Sequence, residues 1–530
     1  MTVRIEPRLI MPMGRRSAGF TGGREPAYDA AGSGRRNSGW NATAESLNSI
    51  IMGAAETLRA KSRDMGRKNP WIHQGLNRWK SNAIGTGIVP IPMHPNRSVR
   101  RKLTSLFRRW TDESDAHGVT DFYGQQMLAA SGVKEAGEAF CRFRPRSLKD
   151  NLSVPLQLQL IAGDHVPFER TGLAPNGNRV RMGIEFDDIG RRSAYHMWRE
   201  HPGDVRTFTS VNDIIRVPAP EICHIFEPLE IGQIRGVSGM ATVLLKARDF
   251  DLYEGGEIVR KRDNAQRAGF ITETSGQGGA GFGGETTKSA IDSVVDTVIL
   301  EAGTWQKLRP GEDVKPATPA EMGTGYNDFM RWVLRAIAAG LGITYEQLTG
   351  DLTGVNYSSI RAGLLEFRRA IEQWQHSVFI FQFCRPVWNR WLRSALISGA
   401  LEISALDFER ERHLYEFVEW RPQGWQWVDP EKEIRAIVKA IRSGLMSREQ
   451  AVAGYGYSAE EIDTAIAAEI KRTDKLGVSY DSDGRRPEAG SGQQSSSTGM
   501  GHNGGPKLDD DESEDDSGPD DEDDSEEDAR

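Results

Sequence analysis

An α+β fold dominated by long helices is what the sequence predicts, and three observations predict it. Apolar residues recur at Ile360, Leu364, Phe367, Ile371, Trp374, Val378 and Phe381 in alternating steps of four and three, which lays one stripe along a single helix face. Leu156-Gln157-Leu158-Gln159-Leu160 alternates strictly, the period of a half-buried strand. Clusters of Gly, Pro, Asn and Asp separate the periodic segments and mark turns.

Taken in order, residues 1–40 are rich in Gly, Arg and Ser without a hydrophobic period and read as a disordered arm. A helical pattern (Leu47, Ile50, Ile51, Ala54, Leu58) then leads into a basic run from Arg59 to Lys68. A basic run of this kind is a solvated face or a nucleic-acid site. A further helix follows Asn69-Pro70-Trp71, where proline suits the first turn. Leu103 to Trp110 and Phe122 to Ala136 read as helices. Ala139–Arg144, Val154–Ile161, Arg179–Phe186, Ser193–Arg199, Ile214–Val217 and Ile222–Phe226 read as strands, with a hairpin around Asp188-Ile189-Gly190. Ser238 to Gln266 reads as one charged helix despite Gly255-Gly256, a pair that costs about 1 kcal/mol per glycine relative to alanine.

Phe270-Ile271-Thr272 is strand-like and precedes a glycine cluster, Gly276 to Gly284. A short helix (Thr286–Val295), a strand (Thr297–Leu300) and an extended stretch (Leu308–Glu321) follow. Next comes a helical pair. Asp328 to Gly340 places Phe329, Trp332, Val333, Ala336 and Ile337 on one side. The second helix runs from Ser359 to Cys384, with Ser358 or Ser359 as N-cap, Arg361, Arg368, Arg369 and Gln375 on its polar face, and Pro386 as its stop or kink. Strands are expected between Glu402 and Trp427, then helices at Pro430–Ser443, Ser447–Gly454 and Ser458–Lys471. Past Leu476 the composition turns to Gly, Ser and Gln and then to acid, which reads as a disordered tail.

The formal charge of −8 conceals an asymmetry: Asp509 to Asp528 holds 15 acidic and no basic side chains, so the remainder carries +7. The three cysteines (Cys141, Cys223, Cys384) are far apart and suggest neither a disulfide framework nor a zinc site. No apolar stretch approaches the ~20 residues a membrane helix needs, so a soluble protein without a membrane partner is expected. Gly276-Gln-Gly278-Gly-Ala-Gly281 matches G-x-G-x-x-G, but its preceding strand is short and polar. A nucleotide-dependent enzyme built on that cluster is therefore the alternative, not the leading, expectation. A cytoplasmic nucleic-acid-binding scaffold using Arg59 to Lys68 is another. Histidines and carboxylates form no catalytic or metal-ligand pattern, so neither catalytic nor metal residues are assigned, and no cofactor is expected.

Four stretches together resemble the lambda-family portal proteins of tailed bacteriophages. They are Asn69-Pro70-Trp71 through Gly85-Thr-Gly87-Ile88; Leu156 to Val166; Gly183-Ile-Glu-Phe-Asp187 through Ile222-Cys-His224 and Arg235-Gly236-Val237-Ser238; and Gly340-Leu-Gly342 through Leu348-Thr-Gly350-Asp351 to Asn356-Tyr357. The resemblance implies a dodecameric ring at one capsid vertex in the virion, assembled in the host cytoplasm. Such a ring conducts double-stranded DNA during packaging and ejection. It meets major capsid and scaffold proteins, docks the terminase large subunit, and later receives head-completion and tail proteins. It implies a wing (41–237), a first stem helix (238–266), a clip (267–318), a second stem helix (319–343), a tunnel loop (344–357), a tunnel helix (358–398), wing return strands (399–429) and a helical crown (430–475). Thr349, Gly350, Asp351, Thr353, Gly354, Asn356 and Tyr357 would edge the DNA channel, with Thr353, Asn356 and Tyr357 touching DNA. Phe270, Ile271, Thr272, Gly278 and Gly281 would belong to the docking clip. The loop 344–357 contains neither Lys nor Arg, which suits a surface along which DNA slides.

Overall fold

The computed structural model describes residues 44–204, 213–266, 270–273, 312–315, 326–425 and 430–478, with isolated positions 39 and 480. Its first two helices, α1 (Leu47–Lys68) and α2 (Pro70–Ala83), meet at one asparagine. The Asn69 N–H donates to Met65 O at 2.9 Å and closes α1, while its Oδ1 accepts from the Ile72 N–H at 3.0 Å and opens α2. Its Nδ2 also donates to Asp251 at 3.1 Å, so the junction holds a distant helix. Next come β1 (Val89–Pro92), α3 (Arg97–Thr111) and α4 (Phe122–Ala136). Helix α4 ends on Gly137, whose φ of 93° is the left-handed cap that glycine favours.

Two antiparallel sheets follow. One orders β3 (Leu156–Ala162), β2 (Glu138–Pro145) and β9 (Ile222–Phe226) with β2 in the centre. The other orders β4 (Gly172–Leu173), β5 (Arg179–Arg181), β6 (Ile184–Phe186), β7 (Arg192–Trp198) and β8 (Ile214–Pro218). The chain continues through α5 (Leu244–Gln266), a pair β10 (Phe270–Glu273) and β11 (Glu312–Lys315), α6 (Tyr326–Leu341), α7 (Tyr345–Thr349) and α8 (Tyr357–Trp374). A π-helical segment (Gln375–Cys384) joins α8 to α9 (Arg385–Ile397). Short helices α10 (Ala405–Arg410) and α11 (Arg412–Glu416) precede β12 (Val418–Arg421), which pairs with β1. Helices α12 (Pro430–Arg442), α13 (Arg448–Ala453) and α14 (Ala459–Leu476) complete the described chain. Residues up to 461 form one compact unit and those from 462 another.

Several expectations need correction. Arg179–Phe186 is not one strand but two, β5 and β6, turned back at Met182 and Gly183 with φ of 49° and 77°. Two consecutive positive φ values make the tight hairpin turn that a strand-period reading overlooks. The charged helix begins at Leu244, not Ser238. Between Glu402 and Arg421 the chain is mostly helical, and β12 is the only strand described there. Asn356, not Ser358 or Ser359, caps α8.

The apolar stripe holds through Val378 and fails at Phe381. A π-helical turn is wider than an α-turn and shifts the phase, so Phe379, Ile380 and Phe383 turn inward and Phe381 is 61% exposed. Gln375, expected on the polar face, is buried and donates to Ala83 O at 2.7 Å, satisfying a carbonyl at the end of α2. Pro386 neither stops nor breaks the run, because it sits in the first turn of α9. In α6 the buried residues are Leu334, Ile337, Ala338 and Leu341, leaving Phe329 and Trp332 on the outside. The arm, the glycine cluster with Gly278 and Gly281, the segment 286–300 and the acidic tail lie outside the described residues.

The larger core gathers Phe107, Trp110, Phe122, Trp388 and Trp391 in tilted and edge-on contacts, with ring centroids 4.9–6.4 Å apart. A smaller core lies under the five-stranded sheet around Phe168, Ile184, Tyr195 and Met197. Close to both is a fully buried carboxylate, Glu138. It accepts from Arg59 Nη2 at 2.6 Å, Arg235 Nε at 2.9 Å, His224 Nε2 at 3.0 Å and the Gly236 N–H at 3.1 Å. The Arg235 guanidinium also lies 4.0 Å from the Phe168 ring centroid. Arg59, read as part of a basic surface run, is thus 2% exposed and paired with acid.

Burial pushes the Glu138 carboxyl up, but Arg235, the His224 hydrogen bond and Arg59 outweigh it and hold the group well below the usual carboxylate range. Burial depresses His224 to about 4, against the opposing hydrogen bond to Glu138. The unfolded chain therefore takes up a proton near pH 6.5 that folded His224 refuses until about 4, and stability falls with pH across that window. The loss is on the order of 3 kcal/mol for His224. Glu138 extends the decline below pH 4.5. Urea midpoints should drop between pH 7 and 4. His224→Gln, which keeps an N–H for Glu138 but does not titrate, should lose most of the upper slope; an unchanged slope would assign it to other groups.

Candidate functional site

The loop after α7 is built from helix ends. Gly342, with φ of 73°, turns the chain out of α6. Thr344 opens α7 in a capping box: its Oγ1 accepts from the Gln347 N–H at 3.2 Å, and Gln347 Oε1 accepts from the Thr344 N–H at 3.0 Å. Leu348 is 1% exposed and ties this short helix to the core. Thr349, its last residue, donates from Oγ1 to Tyr345 O at 2.9 Å. Gly350 closes the helix with φ of 73° and an N–H donated to Glu346 O at 2.8 Å. Leu352, Thr353 and Gly354 then project into solvent, and Gly354 turns at φ of 76° with open space around it. Asn356 brings the chain back, its Oδ1 accepting from the Ser359 N–H at 2.9 Å to start α8 with Tyr357.

Asp351 folds this loop onto itself. Its Oδ1 accepts from the Thr353 N–H at 3.0 Å and from Thr353 Oγ1 at 2.6 Å, and its Oδ2 accepts from the Tyr345 hydroxyl at 3.0 Å. Arg331 of α6 approaches Oδ2 to 3.5 Å and donates to Thr353 Oγ1 at 2.9 Å. The Thr353 hydroxyl, followed by its N–H, Tyr345 and Arg331, lowers the carboxyl to about 2. The one acid of the 350–356 segment is therefore spent inside the loop, and the residues beyond it, Leu352 to Asn356, carry no charge.

Thr353 Oγ1 is engaged on both sides and Asn356 is a helix cap, so both shape the loop. Nor is the loop remote from cations. Arg335 of α6 and Arg78 of α2 line a cleft of about 560 Å³ at its base, together with Glu346. Asp351→Asn should speed hydrogen exchange at the Thr353 amide several-fold while leaving the melting temperature unchanged. An unaltered exchange rate would mean that Arg331 and the backbone alone hold the turn.

Phe270, Ile271 and Thr272 lie on β10 opposite Lys315, Val314 and Asp313 of β11. Helices α5 and α6 pack through Tyr253 and Phe329, with ring centroids 5.1 Å apart. Their outer faces leave Leu245, Leu252, Ile258, Val259 and Trp332 exposed. Among the described residues no helix is long and apolar enough to cross a membrane, and no group of three or more potential metal ligands occurs. The cluster around Glu138 escaped sequence reasoning because its members come from four separate segments. The available signal was that His224 and Arg235-Gly236 both fall in a stretch singled out for its resemblance.

The profile described as phage portal protein, lambda family, matches residues 33–375. The chain is 26% identical to the probable portal protein of Halomonas phage phiHAP-1, covering 84% of this chain and 86% of that one. It is 22% identical to portal protein B of Escherichia phage lambda, covering 88% and 92%. Among solved structures it is similar to a chain in the neck of an empty gene transfer agent particle computed with C6 symmetry, at 16% identity and a TM-score of 0.42, covering 79% of this chain and 93% of that one. With the profile spanning well over half of its length, this chain belongs to the lambda family of phage portal proteins.

Proposed function

We propose that twelve copies of this chain close into a ring at the capsid vertex and that double-stranded DNA passes through its bore, edged by residues 350–356. The observation that carries this reading is the loop's electrostatics: an exposed, glycine-hinged segment whose only acid is held by Thr353, Tyr345 and Arg331 of α6 and whose tip is uncharged. Phosphate contacts by Lys or Arg strengthen binding and make it salt-dependent; a neutral tip lets the polyanion slide.

In this reading α5 and α6 form the stem, with α5 starting at Leu244. The segment 267–318 is the clip that meets the terminase large subunit and later the head-completion proteins. Residues 41–237 form the wing against capsid and scaffold proteins, α8 to α9 the tunnel helix, and 430–475 the crown. The exposed apolar residues of α5 fit helix faces covered by neighbouring copies. Assembly takes place in the host cytoplasm, and the ring remains in the virion. The purified full chain should give annular particles with a central hole in electron micrographs. Single-copy particles under all assembly conditions, together with absence from virions, would overturn the proposal.

A further inference from the structure

Strand β2 carries arginines at alternate positions, Arg142, Arg144 and, one residue past its end, Arg146. Alternation sets all three on one face of the β3-β2-β9 sheet, while Cys141 and Phe143 point into the core. What holds these guanidiniums is unusual. Arg144 donates from Nε and Nη2 to Gln159 Oε1 at 2.8 and 2.6 Å, and Arg146 donates from Nε to Gln157 Oε1 at 2.6 Å. Both partners are neutral amides of the adjacent strand β3. They orient the arginines without cancelling charge and leave other N–H donors of each fork free. Only Arg142 has a carboxylate within reach, Glu221 at 3.6 Å, and its buried Nε has no partner.

Like charges side by side on a sheet are destabilising. Burial, followed by repulsion from Arg142 and Arg146, lowers the Arg144 pKa. The contrast with helix α3 is direct: Arg97 and Arg100 meet Glu460, and Lys102 meets Glu402. A cleft of about 690 Å³ adjoins the stripe, lined by Arg142 and Arg144 together with His117 and Arg199, with Glu200 and Asp204 also on its wall.

We propose that the Arg142-Arg144-Arg146 stripe binds the phosphate backbone of nucleic acid, at a site distinct from the 350–356 loop. Arginine forks suit phosphate oxygens. At about 3.4 Å per residue, alternate arginines stand about 6.8 Å apart, close to the separation of successive phosphates along one strand, whose winding path is longer than its rise of about 3.4 Å per step on the helix axis. The arginines project from the face of the sheet, and β9 flanks β2 only as far as Arg142, so a peptide pairing by its backbone with the edge of β2 past that point cannot span all three. A polyanion laid across the face can. The contact is independent of sequence, because nothing in the stripe is arranged to read bases.

The test is binding of a 30-base-pair duplex of arbitrary sequence to the full-length protein across a salt series. Arg142→Gln/Arg144→Gln/Arg146→Gln should weaken binding at least tenfold and make the slope of log K against log salt shallower by about 2–3 units, at roughly 0.9 per phosphate. Arg101→Gln/Arg109→Gln, which removes two exposed cations elsewhere, should leave the slope within one unit of the parent. Gln159→Glu guards against a folding artefact: it adds a carboxylate beside Arg144, keeps all three arginines and should weaken duplex binding without loss of thermal stability. Equal affinity and slope in the parent, the triple variant and Gln159→Glu would overturn the proposal. So would a loss of polyglutamate binding with duplex binding intact, which would assign the stripe to an acidic protein. Ring formation, imaged on the same samples, reports on the portal reading separately: rings that persist while duplex binding falls uphold both, and a failure of rings in the parent counts against the portal reading alone.

Discussion

Arg235→Met should destabilise the folded chain by about 3–5 kcal/mol, the range for stripping one partner from a buried ion pair. Arg235 is fully buried, as is Glu138, and its fork also reaches Met182 O at 2.6 Å. Methionine fills much of the volume but leaves Glu138 short of its principal counter-charge in a site water does not enter. Arg59 and His224 remain, so the carboxylate is not wholly orphaned, and the loss should exceed that of Arg59→Met. Glu138→Gln combined with Arg235→Met should cost less than the two single changes added together, because the second removes a charge the first has already made redundant. Additive losses in chemical unfolding would show that the cluster acts through packing and not through charge. Arg235→Lys keeps the charge but not the planar fork and should fall between parent and methionine.

That cluster also marks where sequence reasoning stops. Periodicity located α4 at its ends and found most strands of both sheets, because a half-buried element writes its exposed and buried sides into the order of residues. It failed where the period itself changes. The π-helical turn at Gln375–Cys384 keeps the same apolar composition but rotates it, so Phe381 and Gln375 exchanged the sides an α-helical period assigns. Trp332 and Phe329 misled for another reason: Phe329 rests on Tyr253 of α5 instead of the larger core, and Trp332 stays on the exposed face of α6. Asn356 outranks Ser358 and Ser359 as cap because the chain arrives extended at φ of −93° and ψ of 162°, a geometry no composition rule reports. For the loop, sequence established its lack of cations and its glycine hinges. It could not show that Asp351 and Thr353 close on each other, or that Arg331, twenty residues earlier, supplies the missing positive charge.

The same geometry decides where a cation would do most harm. Leu352→Lys adds a positive charge at a side chain that is 62% exposed and takes part in no hydrogen bond of the loop. Asn356→Lys would also remove a helix cap, and Thr353→Lys would break the Arg331–Asp351 clasp, so either would confuse drag on DNA with a misshapen loop. In a ring, one substitution places a lysine on every subunit at one level of the bore. A protein making six to ten phosphate contacts changes its affinity by about 10³–10⁵ between 50 and 200 mM salt, so even partial engagement should brake a sliding duplex. Packaging by Leu352→Lys particles should therefore slow at least tenfold at low salt and recover as salt rises. Leu352→Gln should package at close to the parent rate throughout. Salt rescue separates electrostatic drag from assembly failure, which added salt would not repair. Parental packaging rates for Leu352→Lys at low salt would place the DNA away from residues 350–356 and remove the main support for a sliding rim there.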